Sequence, residues 1–207
     1  PIDGHVATSG LLWPILAGAL SVPGKALALE LDLDSNVGYL AADDGGLRVI
    51  DISAPDLPSE MGNLSLPDGA QKLTLQGRTL ALASGDRVLL ADVGQPENPV
   101  LIGSYAPPRQ GRRVAVQGNV AFVADLDGGL KIIDISDGSR PLLLYAETEG
   151  TVYDLLVRDN RVYLAEGTGG LRILDIRRPT VPQLVAHLPL EGIAQGLDFS
   201  GDNLVVA

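Results

Sequence analysis

The feature that most constrains this chain is self-similarity at a period of about 41 residues. A fixed repeat of roughly 20 to 50 residues signals a stacked or circular array of one supersecondary unit, and it outranks residue-by-residue assignment. Leu47-Arg48-Val49-Ile50-Asp51-Ile52 recurs as Val88 to Val93, as Leu130 to Ile135 and as Leu171 to Ile176, so that Asp51, Asp92, Asp134 and Asp175 follow one another at steps of 41, 42 and 41. Upstream of each lies a second apolar run ending in alanine: Gly38 to Ala41, Leu80 to Ala83, Ala121 to Ala124 and Val162 to Ala165. A fifth copy, Leu204 to Ala207, closes the sequence. A further run precedes each of these, as in Leu73-Thr74-Leu75 or Val114-Ala115-Val116, joined to it by Gln117-Gly118-Asn119 or Asp159-Asn160, residues that accept positive φ in tight hairpins. After the Asp comes a proline-bearing loop and a fourth run, starting at Pro58, Pro99, Pro141 and Pro182.

Each period therefore reads as four short strands. Runs of four to six Val, Ile and Leu bounded by Gly, Pro, Asn and Asp dominate, and helical spacing is scarce. Four antiparallel strands per repeat of about 40 residues is the pattern of a β-propeller blade, in which rotation about an axis leaves few open sheet edges. A linear β-solenoid is the competing arrangement. The whole chain, 1–207, is expected to be a single all-β domain.

The phase of the two ends suggests how the ring closes. Trp13 to Gly18 matches Asn98 to Gly103, which places Pro14 ahead of Pro58 in the proline series, at a step of 44. From Pro182 through Ala207 and on from Pro1 to Pro14 is 39 residues, nearly one more period. The expectation is a five-bladed propeller closed by strand sharing, residues 193–207 completing the blade begun by residues 1–22. Accidental trimming of a longer array is the alternative. The start at Pro1 rather than Met suggests a processed protein or an excised domain.

Composition narrows the function classes. There is no cysteine, so disulfides and thiolate metal sites are excluded. Fifteen Lys and Arg against 26 Asp and Glu give a net charge of −11, which opposes phosphate backbones and anionic lipid. Nucleic acid is not an expected partner. The apolar stretch Leu11 to Leu20 is broken by Pro14 and Gly18 and is about half the length a bilayer span needs. No basic residue precedes it, so it lacks the pattern of a signal peptide too.

Asp-Gly-Gly-Leu-x-Ile-Ile-Asp-Ile-Ser, intact at Asp127 to Ser136 and nearly so at Asp44 to Ser53, resembles the LVIVD repeat family of bacterial and archaeal surface proteins. So do Asn98 to Tyr105 and Asn119 to Asp125. The second full repeat departs from it, with Ser84-Gly85-Asp86 for the double glycine and Ala91 for Ile, and the first blade departs most. The resemblance covers essentially the whole chain. It implies a propeller array exported to the cell surface, with no established chemistry.

Candidate site residues follow from the blade pattern. The repeated Asp51, Asp92, Asp134 and Asp175 end a strand just before a turn, where a carboxylate accepts backbone N–H bonds, so capping is expected rather than catalysis. Gly45-Gly46, Gly128-Gly129 and Gly169-Gly170 lack the helix and the Lys-Ser or Lys-Thr pair of a phosphate loop and read as turns. Two positions ahead of each inner strand stand Lys25, Gln71, Arg112, Tyr153 and Gln195. If those strands line the axis, these five form a polar ring at the tunnel mouth, with Lys72 and Arg113 beside it, and this ring is the candidate ligand site. A mouth facing water is polar in any case.

Asp43, Asp44, Asp125, Asp127 and Glu166 fall in loops on the same face. They could hold a cation, although no EF-hand spacing is present. Asp43 with Asp125 or Glu166 could also approach the separation of about 5 to 10 Å between glycosidase carboxylates. His5 and His187 belong to different blades, so no histidine metal site or triad is expected, and no cofactor is implied. With one Trp, and Tyr39, Tyr105, Tyr145, Tyr153 and Tyr163 mostly on strands, aromatic sugar platforms lack support. The expected function is a non-enzymatic extracellular or cell-surface scaffold that meets a protein or polymer through its loop-rich face. The alternatives are a small-molecule or glycan binder at the mouth and a hydrolase using the acidic loops.

Overall fold

The computed structural model describes residues 17–66, 68–85, 87–106, 113–146 and 150–207. These contain strands and turns only. Blade I is β1(Ala26–Asp32), β2(Val37–Ala42), β3(Gly46–Asp51) and β4(Ser59–Leu64); blade II is β5(Lys72–Gln76), β6(Thr79–Ser84), β7(Arg87–Asp92) and β8(Val100–Tyr105). Blade III is β9(Arg113–Gln117), β10(Val120–Ala124), β11(Leu130–Asp134) and β12(Leu142–Ala146); blade IV is β13(Asp154–Arg158), β14(Arg161–Ala165), β15(Leu171–Asp175) and β16(Gln183–Leu188). Each is a four-stranded antiparallel meander in chain order. A fifth sheet has two strands, β17(Leu197–Ser200) and β18(Asn203–Val206).

Local chemistry explains the repetition. In the hairpin β13–β14 both turn residues, Asp159 and Asn160, have positive φ, 52° and 57°, a pairing suited to the twist of a two-residue hairpin. The second glycine of each pair needs the left-handed region: φ is 72° at Gly46 and Gly129 and 82° at Gly170. Every full blade carries a β-bulge at the same place, between Val49 and Ile50, Leu90 and Ala91, Ile132 and Ile133, and Ile173 and Leu174. The bulge bends the outer strand and deepens the blade's twist.

The second and third strands of blades I to III are buried for most of their length, and blades II and III lie between neighbouring blades on both sides. Tyr39, Leu47 and Val49 of blade I meet Leu73, Leu80 and Leu82 of blade II in one cluster. Val88 and Leu90 meet Val114 and Val123 in the next, and Phe122, Leu130 and Ile132 meet Leu155 and Leu164 in the third. Blade IV holds the fifth sheet through Leu171 and Leu197. There Phe199 lies edge-on to Tyr163 with ring centroids 5.2 Å apart, and under the Arg158 guanidinium at 4.9 Å. The inner strands pack in sequence, β1 on β5, β5 on β9, β9 on β13 and β13 on β17.

The outer rim depends on a small residue beside the bulge. At Gly62 and Gly103 an added Cβ would run into backbone of the next blade, at Pro96 and Gly138 respectively. Blade III has Tyr145 at this position, opposite Ile132. A cleft of about 390 Å³ lies there, lined by Tyr145, Arg172, Leu174, Pro182, Leu184 and His187.

Five-bladed closure by strand sharing is not shown. Residues 1–16 lie outside the described residues, residues 17–22 form no strand, and β17 pairs with β18 alone. No contact comparable to the others joins β17 back to β1 among the described residues. The described architecture is four full blades and a two-stranded fifth sheet.

Candidate functional site

Each full blade has two ends. At one end of blades I, III and IV the loop between the second and third strands bonds to the segment leading into the next inner strand. Ala70 N–H donates to Asp43 O at 3.1 Å and Val152 N–H to Leu126 O at 3.0 Å, while Gly167 and Ala194 exchange both bonds at 2.9 and 3.0 Å. Thr151 Oγ1 donates to Asp127 at 2.6 Å. The acidic loops thus lie beside Gln71, Tyr153 and Gln195 on one face.

Lys25, Gln71 and Gln195 are exposed on this face, and Tyr153 is half-buried with its ring against Gly167. Their backbones continue the inner hairpins by one rung, Gln71 N–H donating to Ala83 O, Tyr153 N–H to Ala165 O and Gln195 N–H to Ala207 O. Arg112 lies outside the described residues. At the start of the inner strands, Arg113 Nε stands 3.2 Å from Asp154 Oδ1, and Asp154 Oδ2 accepts from Leu197 N–H at 2.9 Å. Asp154 therefore ties the inner strands of three successive blades. Glu30 of β1 feels the same arginine: burial pushes its carboxyl above the ordinary value and Arg113 partly offsets this.

The acidic loop residues are not equivalent. Asp125 and Lys131 are both fully buried, with Oδ2 and Nζ 3.8 Å apart, and Lys131 also donates to Gly128 O. Glu166 is buried and paired to Arg172 at 2.9 Å. These two carboxylates, which the sequence offered as partners of Asp43 for glycosidase chemistry, are engaged inside their own blades. Blades I and II hold Ala42 and Ser84 at the same position, and Ser84 Oγ donates to Gly69 O at 2.5 Å.

The repeated aspartates sit at the opposite end of the blades. Asp51, Asp92 and Asp134 each accept a backbone N–H two residues on, from Ser53, Gly94 and Ser136 at 2.8 Å, and Asp175 accepts from Arg177 at 2.9 Å. The hydroxyl and amide of Ser53 hold Asp51 below the usual carboxylate range, the amide and then the hydroxyl of Ser136 do so for Asp134, and the Arg177 side chain leads the same shift at Asp175. All four carboxylates cap turns. At that end a cleft of about 710 Å³ is lined by Glu30, Leu31, Asp32, Asp34, Leu75 and Gly77 among others.

His187 is exposed on the outer strand β16, its Nε2 2.7 Å from Gly169 O, and His5 lies outside the described residues. Among the described residues no group of three or more acidic or histidine side chains is placed to hold a metal ion. Nor, among them, is any helix long and apolar enough to cross a membrane.

Repeated four-stranded meanders stacked through their inner strands define a β-propeller repeat protein, and solved structures match on that basis. The computationally designed Ika8 protein is similar with a TM-score of 0.69 at 17% identity, over 87% of this chain and 54% of that one. The Cps50 (Swd1) β-propeller domain of Myceliophteria thermophila is similar with a TM-score of 0.71 at 13% identity, over 88% of this chain and 63% of that one. The chain thus spans under two thirds of the length of either structure. No curated protein matches it. The LVIVD repeat model matches residues 31–65, 108–146 and 149–188, and the chain belongs to the LVIVD repeat family.

Proposed function

We propose that this chain is a non-enzymatic scaffold of the bacterial or archaeal cell surface, which meets a protein or polymer partner through the face where the loops between second and third strands gather. One observation carries this reading: the aspartates that recur in every full blade, and the two acids buried at the loop end of blades III and IV, are used within the fold. Asp51, Asp92, Asp134 and Asp175 cap turns, while Asp125 and Glu166 pair with Lys131 and Arg172 inside their blades. Other polar residues of the loop face, including Asp44, Gln71, Asp127 and Gln195, are exposed. A rigid frame with exposed loops at one end suits recognition, although fold alone does not dictate function.

The test compares the two ends. Asp44→Lys with Asp127→Lys reverses charge on the loop face, and Asp159→Lys does so on the hairpin-turn face. A surface partner captured by the unaltered chain should lose at least tenfold in affinity with the first variant and keep it with the second. Loss with the second variant alone would refute the choice of face.

A further inference from the structure

The inner strands contain an internal control for what each blade face expects as a neighbour. Leu73, Val114, Leu155 and Leu197 occupy one repeat position and all face the preceding blade, where they are 9%, 2%, 0% and 6% exposed. Leu29, opposite Leu40 in β1, holds the same position in blade I and is 54% exposed. Two residues on, Leu31 is 49% exposed, while Phe199 at its counterpart in the fifth sheet is covered by Tyr163 and Arg158. The opposite end of the array is uncovered as well. Val205 corresponds to Tyr39, Ala81 and Phe122, which are at most 2% exposed against the following blade, yet Val205 itself is 49% exposed. On blade I's flank, Leu20 and Val22 cover Leu40, Ala42 and Ile50 farther from the axis, and Gly18 abuts the Pro55-Asp56 loop just as Gly62 abuts Pro96. Residues 17–22 thereby trace the path of an outer strand belonging to a blade that would precede blade I.

We propose that the leading face of blade I, at Leu29 and Leu31, and the trailing face of the fifth sheet, at Val205, are blade-docking surfaces whose occupants are further blades of this same repeat, so that the closed ring holds more than five. The argument is continuity: four interfaces of one geometry already run through the molecule, and these two faces carry apolar residues at the same register with nothing comparable against them among the described residues. Propeller rings hold roughly four to eight blades, and both matching structures are longer than this chain.

The chain has no cysteine, so single thiols report cleanly. Leu29→Cys, Val205→Cys and, as a buried control, Leu155→Cys are labelled with a maleimide under native conditions at several protein concentrations. The same variants are then made in chains extended after Ala207 by one, two and three copies of residues 166–207. In the 207-residue chain the first two positions should label near the unfolded rate and the control at least a hundredfold more slowly. Val205→Cys should slow at least tenfold with the first added repeat, and Leu29→Cys only when the added repeats complete the ring. Slow labelling at Leu29→Cys in the unextended chain, independent of concentration, would mean five-bladed closure and overturn the proposal. Protection that rises with concentration would assign the face to a second copy and overturn the occupant. Unchanged labelling at Leu29→Cys through all three extensions would overturn it also.

Discussion

Replacing Lys131 by Leu removes the counter-charge that Lys131 supplies to Asp125 in a site closed to water, together with its bond to Gly128 O. Breaking one side of a buried ion pair costs about 3–5 kcal/mol, whereas replacing both partners by a well-packed uncharged pair is commonly neutral or stabilising. Blade II already contains such a pair at the same positions, Ser84 and Leu89, and both are buried. Lys131→Leu should therefore destabilise by about 3–5 kcal/mol, and Asp125→Ser with Lys131→Leu should return to within about 1 kcal/mol of the parent. Urea unfolding followed by far-UV circular dichroism reads this directly. With a slope of about 2–3 kcal/mol per molar, the single variant should lower the midpoint by about 1–2 M. A single variant that costs under about 1 kcal/mol, or a double variant as unstable as the single, would refute the account of this pair as a mutually dependent unit.

The turn carboxylates make stability pH-dependent. Asp51, Asp134 and Asp175 have folded pKa values below their ordinary ones, so their contribution is present above the unfolded value and is lost as pH falls through the folded value. The melting temperature should drop below about pH 4, and the triple Asp→Asn variant should show a shallower acid limb. Glu30 behaves oppositely: its raised folded pKa favours the protonated form, so Glu30→Gln should raise the melting temperature at neutral pH and leave it unchanged in acid. Gly118→Ala meets nothing within 4 Å at φ 57° and should cost about 1–2 kcal/mol of backbone strain. Gly170→Ala, where a Cβ would run into Leu188 O, should cost clearly more in the same melts.

Much of the blade was legible because strand period and turn chemistry are local. The Asp and Pro series located the third and fourth strands, and the alanine-ended runs located the second. The turn-capping role of the aspartates followed from their place at a strand end. Other features depend on what neighbours do. Asp43 and Leu126 have positive φ, 21° and 43°, at the position where blades II and IV use Gly85 and Gly167, and neither residue type announces this. The buried pair Asp125–Lys131 left a faint signal, since blades III and IV carry an acid after the alanine together with a base at the second residue of the third strand. Blade I blurs it, with Arg48 paired instead to Glu60 at 3.1 Å. Ring size was beyond the sequence count altogether, because blade number follows from the wedge that side chains build between sheets, and counting prolines measures only chain length.

The central claim, recognition through the loop face, is tested most directly by site-specific photo-crosslinking. A photoreactive amino acid is placed at Asp127 on the loop face or at Asn119 on the hairpin-turn face, and the chain is irradiated with the envelope fraction of its own cells. The account predicts one discrete adduct from position 127, lost when the chain is unfolded first, and none from position 119. An adduct from position 119 alone, or a folded chain that yields no adduct at either position, would contradict it.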